Sequence, residues 1–315
     1  MSSQYFRFSA RALVEPRRAA LLEQLLGRAD AFRPVSDWRA DAFRVIAPPT
    51  SSVPAIASAA LFAECGAVDG AWVCLATPVH YVAEMTSVRL PQDGILSIRR
   101  AGAETLAVDF NRLWKGSGIR LIAGASARLY CIFDQTLKVA TRDPEDVLDR
   151  HIEEYLPAGA DAPHLRRLMS EIEMWLFEHE ANSTRGALSL PPINGIWLWG
   201  GGAPLASLPR VNGWIAGDDV FFSAFGSPIA GKSDTSDKSD TPEQSDSGVV
   251  VASQTPGGDG WSDIEKRWLK PAAAQLRAGS LSRLEISAGD RCFTLTGRAI
   301  RRFWRRSKPW WESFA

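Results

Sequence analysis

Histidine is scarce in this chain: four in 315 residues. His80, His151, His164 and His179 share no spacing, with one another or with acids, that would build a His-rich metal site. Cysteine is equally thin. Cys65, Cys74, Cys131 and Cys292 form no C-x-x-C pair, and Cys74 and Cys131 lie inside apolar runs, so reduced thiols are expected. Net charge is absent, with 36 basic and 36 acidic side chains. No global field therefore draws the chain to nucleic acid or to a membrane surface. No run is apolar and long enough to span a bilayer, and the N-terminal residues lack the apolar core of a signal peptide. A cytoplasmic protein is the expectation.

Tryptophan, in contrast, is abundant, with twelve residues. Rings of that size are expected to fill core and pocket walls. The hydrophobic share of 45% and the length allow one large or two small domains.

The richest stretch runs from His164 to Pro204. Asp161 is placed to cap a helix whose Leu165, Leu168, Met169, Ile172, Leu176 and His179 share one face. Asn182 and Gly186 are expected to end it, and Pro191 and Pro192 to forbid its resumption. Ile193 to Trp199 reads as a strand stopped by Gly200, Gly201 and Gly202. Asn182, Arg185 and Asn194 offer amide and guanidinium donors suited to a carboxylate or phosphate. The plainer alternative is that they tie down a turn.

Elsewhere, helices are expected over residues 15–28, 55–65, 105–115, 143–155 and 261–278. Strands are expected over 70–82, 87–98, 119–133 (two, around Gly124), 211–225 (two), 281–286 and 291–296. Alternating helices and strands predict an α/β fold, a mixed β-sheet covered by helices. The expected division is a main domain over 1–227, a flexible segment over 228–260 and a helix with a hairpin over 261–315. The flexible segment repeats Ser-Asp units and lacks apolar anchors, which predicts a disordered loop. Val249 to Val251 reads as a short strand inside it. Asp218 and Asp219 form an acid pair expected to be solvated in a turn. The chain ends basic and aromatic, from Arg298 to Trp311. Such an end could grip nucleic acid or an anionic membrane surface, or it could dock Phe303 and Trp304 and solvate its charges.

The segment HEANSTR followed by PPINGIWLWGGGAP resembles a stretch of the archaeal-type cofactor-independent phosphoglycerate mutases. It resembles still more a bacterial family of phosphoglycerate-mutase-like, RpfE-type regulatory proteins. Leu156-Pro157-Ala158-Gly159, Trp72 to His80 (WVCLATPVH) and Phe303 to Arg306 carry the second resemblance along the chain. The first covers roughly residues 105–204, which matches the substrate-binding insert of the mutases. Glu145 stands where the mutases have His in a Pro-His-Asp motif, and Leu129 where they have His after Arg128.

The resemblance implies an anion-binding set of Arg128, Asp146, Asn182, Arg185 and Asn194. It also implies, for an active mutase, two divalent metals held by Asp and His clusters and a Ser or Thr nucleophile, and those motifs are not found here. The expectation is therefore a non-catalytic regulatory or ligand-binding protein. It uses no cofactor and no metal, and its candidate partners are a small phosphorylated metabolite or a protein. The alternatives are a metal-dependent mutase-like phosphotransferase or phosphatase, and an adaptor that binds through its C-terminal tail.

Overall fold

A computed structural model describes residues 2–8, 19–217, 219–226, 247–252, 264–302 and 304–314. The chain forms two compact units, one of Met1–Val53 with Pro209–Ala315 and one of Pro54–Leu208. The expected span 1–227 thus runs through both.

Strands and helices are numbered along the chain. In the first unit they are β1 (Ser3–Phe8), α1 (Ala20–Arg28), β2 (Ala31–Pro34) and α2 (Trp38–Ile46). In the second unit they are α3 (Ile56–Cys65), β3 (Trp72–Val79), β4 (Val82–Ala83), β5 (Val88–Leu90), α4 (Arg100–Leu113), β6 (Ile119–Ala123), β7 (Leu129–Phe133), β8 (Arg150–His151), α5 (Ala162–Phe177), α6 (Glu180–Ala187) and β9 (Gly195–Gly202). The chain then returns to the first unit with β10 (Trp214–Gly217), β11 (Gly248–Ala252), α7 (Lys270–Ala278), β12 (Arg283–Ala288), β13 (Arg291–Leu295), α8 (Gly297–Ile300) and α9 (Trp310–Phe314).

The first unit is built on a six-stranded sheet of order β10-β11-β1-β12-β13-β2. Its first four strands are parallel, β13 pairs antiparallel with β12, and β2 pairs antiparallel with β13. Alternation along β1 divides its side chains between two covered faces. Phe6 and Phe8 join Leu22, Leu25, Leu276 and Trp310 in one core. Tyr5 and Arg7 are also buried. They share the other face with Phe43 of α2, whose ring packs on Phe221 and Phe225. The first turn of α1 has no capping side chain, because Ala19 precedes it. Glu265 supplies the missing acceptor, taking the N–H groups of Leu21 and Leu22 at 2.7 and 3.0 Å.

The second unit has a four-stranded antiparallel sheet of order β6-β7-β3-β9 and a small sheet of order β4-β5-β8. Leu106 and Phe110 of α4 and Ile172 and Trp175 of α5 meet Ala76, Cys131, Ile196 and Leu198 of the sheet. The small residues Ala57, Ala59 and Ala60 of α3 are also buried.

Several expectations need correction. The glycines 200–202 do not stop β9 but belong to it. A Cβ at Gly201 would run into the Trp72 ring, and one at Gly202 into Ala55, so their bareness allows close cover of the strand. The helix expected over 143–155 is absent. In its place are 3-10 turns at Pro144–Val147 and Ile152–Tyr155, interrupted where Asp149 takes a left-handed φ of 57°. The strand expected over 87–98 shrinks to β5, because the Gly94 N–H turns back onto the Pro91 carbonyl. The second strand expected within 211–225 is a 3-10 turn, Phe222–Phe225. Trp304 is 67% exposed, and the aromatic residue that docks in the terminal segment is Trp310. Phe303, Trp261 and most of the Ser-Asp segment lie outside the described residues. Val249–Val251 does form a strand, as part of β11. Among the described residues no helix is long and apolar enough to cross a membrane.

Candidate functional site

Helix α5 ends at Phe177, before Asn182, and a separate helix α6 carries both Asn182 and Arg185. Asp161 stands at the α5 N-terminus without capping it. Its carboxylate accepts the Lys138 N–H at 2.7 Å instead. The residue that caps α6 is His179, whose Nδ1 accepts the Ala181 N–H at 3.1 Å. That bond requires a lone pair on Nδ1, which places the ring proton on Nε2. Nε2 in turn faces Asp109 at 3.4 Å. His179 is buried, packed edge-on against Trp175.

Asn182 holds the loop that leads into β9. Its amide nitrogen donates to the carbonyls of Leu176 and Ile193, each at 2.8 Å, and its oxygen accepts the Ile193 N–H at 2.7 Å. Asn194 does the same for Tyr81, accepting its N–H at 2.7 Å and donating to its carbonyl at 2.9 Å. Asn111 treats Leu121 of β6 in the same way, at 2.7 and 2.8 Å. In all three cases a side-chain amide imitates a neighbouring strand, satisfying one donor and one acceptor of the backbone.

Arg185 completes this loop. Its Nε donates to the Pro191 carbonyl at 2.7 Å, and its Nη1 lies 3.5 Å from the Ser97 carbonyl. Partial burial lowers its pKa. Its hydrogen-bond partners are neutral carbonyls, so its full positive charge remains available to an anion.

Arg128 belongs to another cluster. Its Nη1 meets Glu64 at 2.6 Å and Ser126 at 2.9 Å, at the turn between β6 and β7. Burial alone would raise the Glu64 carboxyl. Hydrogen bonds from the Ser126 hydroxyl and backbone and from Arg128 outweigh it and hold the carboxyl below its usual value. The acid opposite Arg128 is thus Glu64. Asp134, six residues on from Arg128, lies 3.6 Å from Arg120 instead. Asp146 is exposed in a 3-10 turn. Of the five anticipated residues, Asn182, Arg185 and Asn194 converge on the 190–194 loop, while Arg128 is neutralised by a carboxylate from α3. Glu64 gave no sequence signal, since it stands on a helix of small residues with no spacing that ties it to Arg128.

His80 lies beside this loop, with Nδ1 at 2.9 Å from the Pro192 carbonyl. His151 and His164 are exposed, as expected of solvated histidines. Cys74 and Cys131 face each other across β3 and β7, unlinked and buried, while Cys65 is exposed. Burial pushes the Cys74 thiol well above its usual range.

In the first unit Arg7 stands near the carboxyl end of β1 and Arg39 in the first turn of α2. Arg7 donates to the Ser287 hydroxyl at 3.0 Å and the Gly289 carbonyl at 2.8 Å. Arg39 binds Asp219 through Nε and Nη2 at 3.0 and 2.7 Å. Both guanidinium groups lie within reach of the Trp38 ring, at 5.0 and 4.4 Å. Asp219 also accepts the N–H groups of Phe221 and Phe222 at 2.9 and 3.2 Å. The acid expected to be solvated is therefore buried and fully engaged. Among the described residues no group of three or more His, Cys, Asp or Glu side chains is arranged to hold a metal ion.

No protein-family model matches the chain. Two curated relatives are 2,3-bisphosphoglycerate-independent phosphoglycerate mutases. That of Methanothrix thermoacetophila is 36% identical over 93 residues, covering 30% of this chain and 24% of the relative. The phosphoglycerate mutase 2 of Methanothermobacter thermautotrophicus is 32% identical over 108 residues, covering 33% of this chain and 27% of the relative. The chain therefore spans about a quarter of the length of the curated relatives it matches. Among solved structures, the cofactor-independent phosphoglycerate mutase of Thermoplasma acidophilum aligns over 99% of this chain and 95% of its own, with 12% identity and a TM-score of 0.39. Over about a third of its length, then, the chain is similar to archaeal cofactor-independent phosphoglycerate mutases.

Proposed function

We propose that this protein is a non-catalytic, cytoplasmic relative of the phosphoglycerate mutases, a regulatory or sensing module that binds a small phosphorylated or carboxylate ligand. The observation that carries the reading is Arg185. Its guanidinium is fixed by the Pro191 and Ser97 carbonyls, and burial already lowers its pKa. An incoming anion would relieve that cost, and a planar fork suits a phosphate or carboxylate. Asn182 and Asn194 serve this site as positioning residues, since their amides are spent on the backbone that presents Arg185. The likeness to the mutases supports a phosphoglycerate-type ligand. The bacterial regulatory family rests on the motif resemblance of Leu156 to Gly159 and Trp72 to His80.

Titration calorimetry with 3-phosphoglycerate tests the proposal. Binding to the wild type without added metal, weakened about tenfold or more in Arg185→Ala, is the expected result, since a charge-assisted bond to a phosphate contributes about 1.5–3 kcal/mol. Binding of equal strength in both proteins would remove Arg185 from the site.

A further inference from the structure

Helices α4 and α5 bury one face each and leave large apolar side chains on the other. Leu113 is 60% exposed and Met174 69%, and the two border a groove of about 610 Å³. Trp175 forms its floor, backed by the stacked rings of Phe110 and Trp114. Three carboxylates, Asp109, Glu178 and Glu180, line it against a single cation, Arg112. Asp109 is shared between Arg112 at 3.1 Å and His179 at 3.4 Å. The groove is thus apolar at its rim, aromatic at its base and acidic overall. Its size falls in the range of roughly 300–1,000 Å³ that holds drug-sized molecules, which is ample for an indole.

The chemistry that matches is present in the same chain. Trp304 is 67% exposed, and Arg305, Arg306 and Lys308 beside it are exposed as well. Exposed tryptophan flanked by cations is the residue type that anchors interfaces. We infer that the groove receives the Trp304–Lys308 segment of a second copy of the chain. The indole of one copy would lie between Leu113 and Met174 of the other, over Trp175. The cations of the inserted segment would meet Glu178 and Glu180. If each copy inserts its segment into the other, the contact is self-complementary and closes as a two-fold dimer. An acidic lining repels phosphates and anionic head groups, so this contact is independent of the anion reading at Arg185.

Sedimentation equilibrium over a range of protein concentrations tests the inference. The wild type is expected to pass from monomer to dimer as concentration rises, with dissociation promoted by salt. Met174→Lys and Trp304→Ala should each raise the dissociation constant about tenfold or more. Both positions are exposed and lie in separate units, so misfolding of one variant would leave the other as the test. The double substitution Glu178→Lys with Glu180→Lys should weaken the dimer, and adding Arg306→Glu with Lys308→Glu to the same chain should restore it. A wild type that stays monomeric throughout would overturn the inference and leave the groove to a different basic partner. A dimer whose dissociation constant is unchanged in both Met174→Lys and Trp304→Ala would overturn it equally.

Discussion

At the scale of single residues, asparagine does work that the sequence suggested for ligand binding. The three bonds of Asn182 satisfy the Leu176 and Ile193 backbone in a half-buried setting. Asn182→Ala should therefore destabilise the protein by about 2–3 kcal/mol, read from denaturant unfolding, because the orphaned backbone groups keep their desolvation cost. The pair of Glu64 and Arg128 makes a prediction in pH. The folded carboxyl is lowered below its unfolded value. Its stabilisation is thus fully present above the unfolded pKa, about 4.3, and is lost as pH falls through the lower folded value. Arg128→Ala should cost about 1–2 kcal/mol at neutral pH, after discounting for partial exposure. The difference from wild type should shrink as the pH falls below about 4. A difference that stays constant into acid would show that Arg128 acts by packing rather than by charge.

At the scale of elements, long amphipathic segments were legible and capped or glycine-marked ones were not. The face of α5 follows from Leu165, Leu168, Ile172 and Leu176, all buried. Both strands around Gly124 and the terminal hairpin also stand as the alternation predicts. Boundaries set by tertiary partners could not be read. His179 caps a new helix through its ring, which takes the Ala181 N–H, and Gly201 and Gly202 lie in a strand where Trp72 and Ala55 leave no room for a Cβ. The convergence of Asn182, Arg185 and Asn194 on one loop was legible in their residue types. The ion pair of Arg128 was not, because Glu64 reaches it from 64 positions away. The buried pair of Arg39 and Asp219 joins α2 to the turn after β10 across 180 positions, which no local pattern signals. Asp219→Ala should cost about 3–5 kcal/mol by stranding a buried guanidinium. Arg39→Met combined with Asp219→Leu should cost clearly less than the sum of the single variants, as a double-mutant cycle would show.

At the scale of the whole molecule, the two units present different surfaces to chemistry. One carries Arg7 near the carboxyl end of β1 in a largely parallel sheet, and the other carries the loop that holds Arg185. The proposed function requires this loop to bind an anionic metabolite without a metal. Thermal unfolding of the purified protein with 3-phosphoglycerate, 2-phosphoglycerate or inorganic phosphate, each with and without manganese, tests that requirement. A ligand that binds only the folded state raises the midpoint by mass action. The expected result is a rise with phosphoglycerate that is the same with and without manganese and is lost in Arg185→Ala. A rise that appears only with manganese would contradict it and point to metal-dependent phosphoryl chemistry.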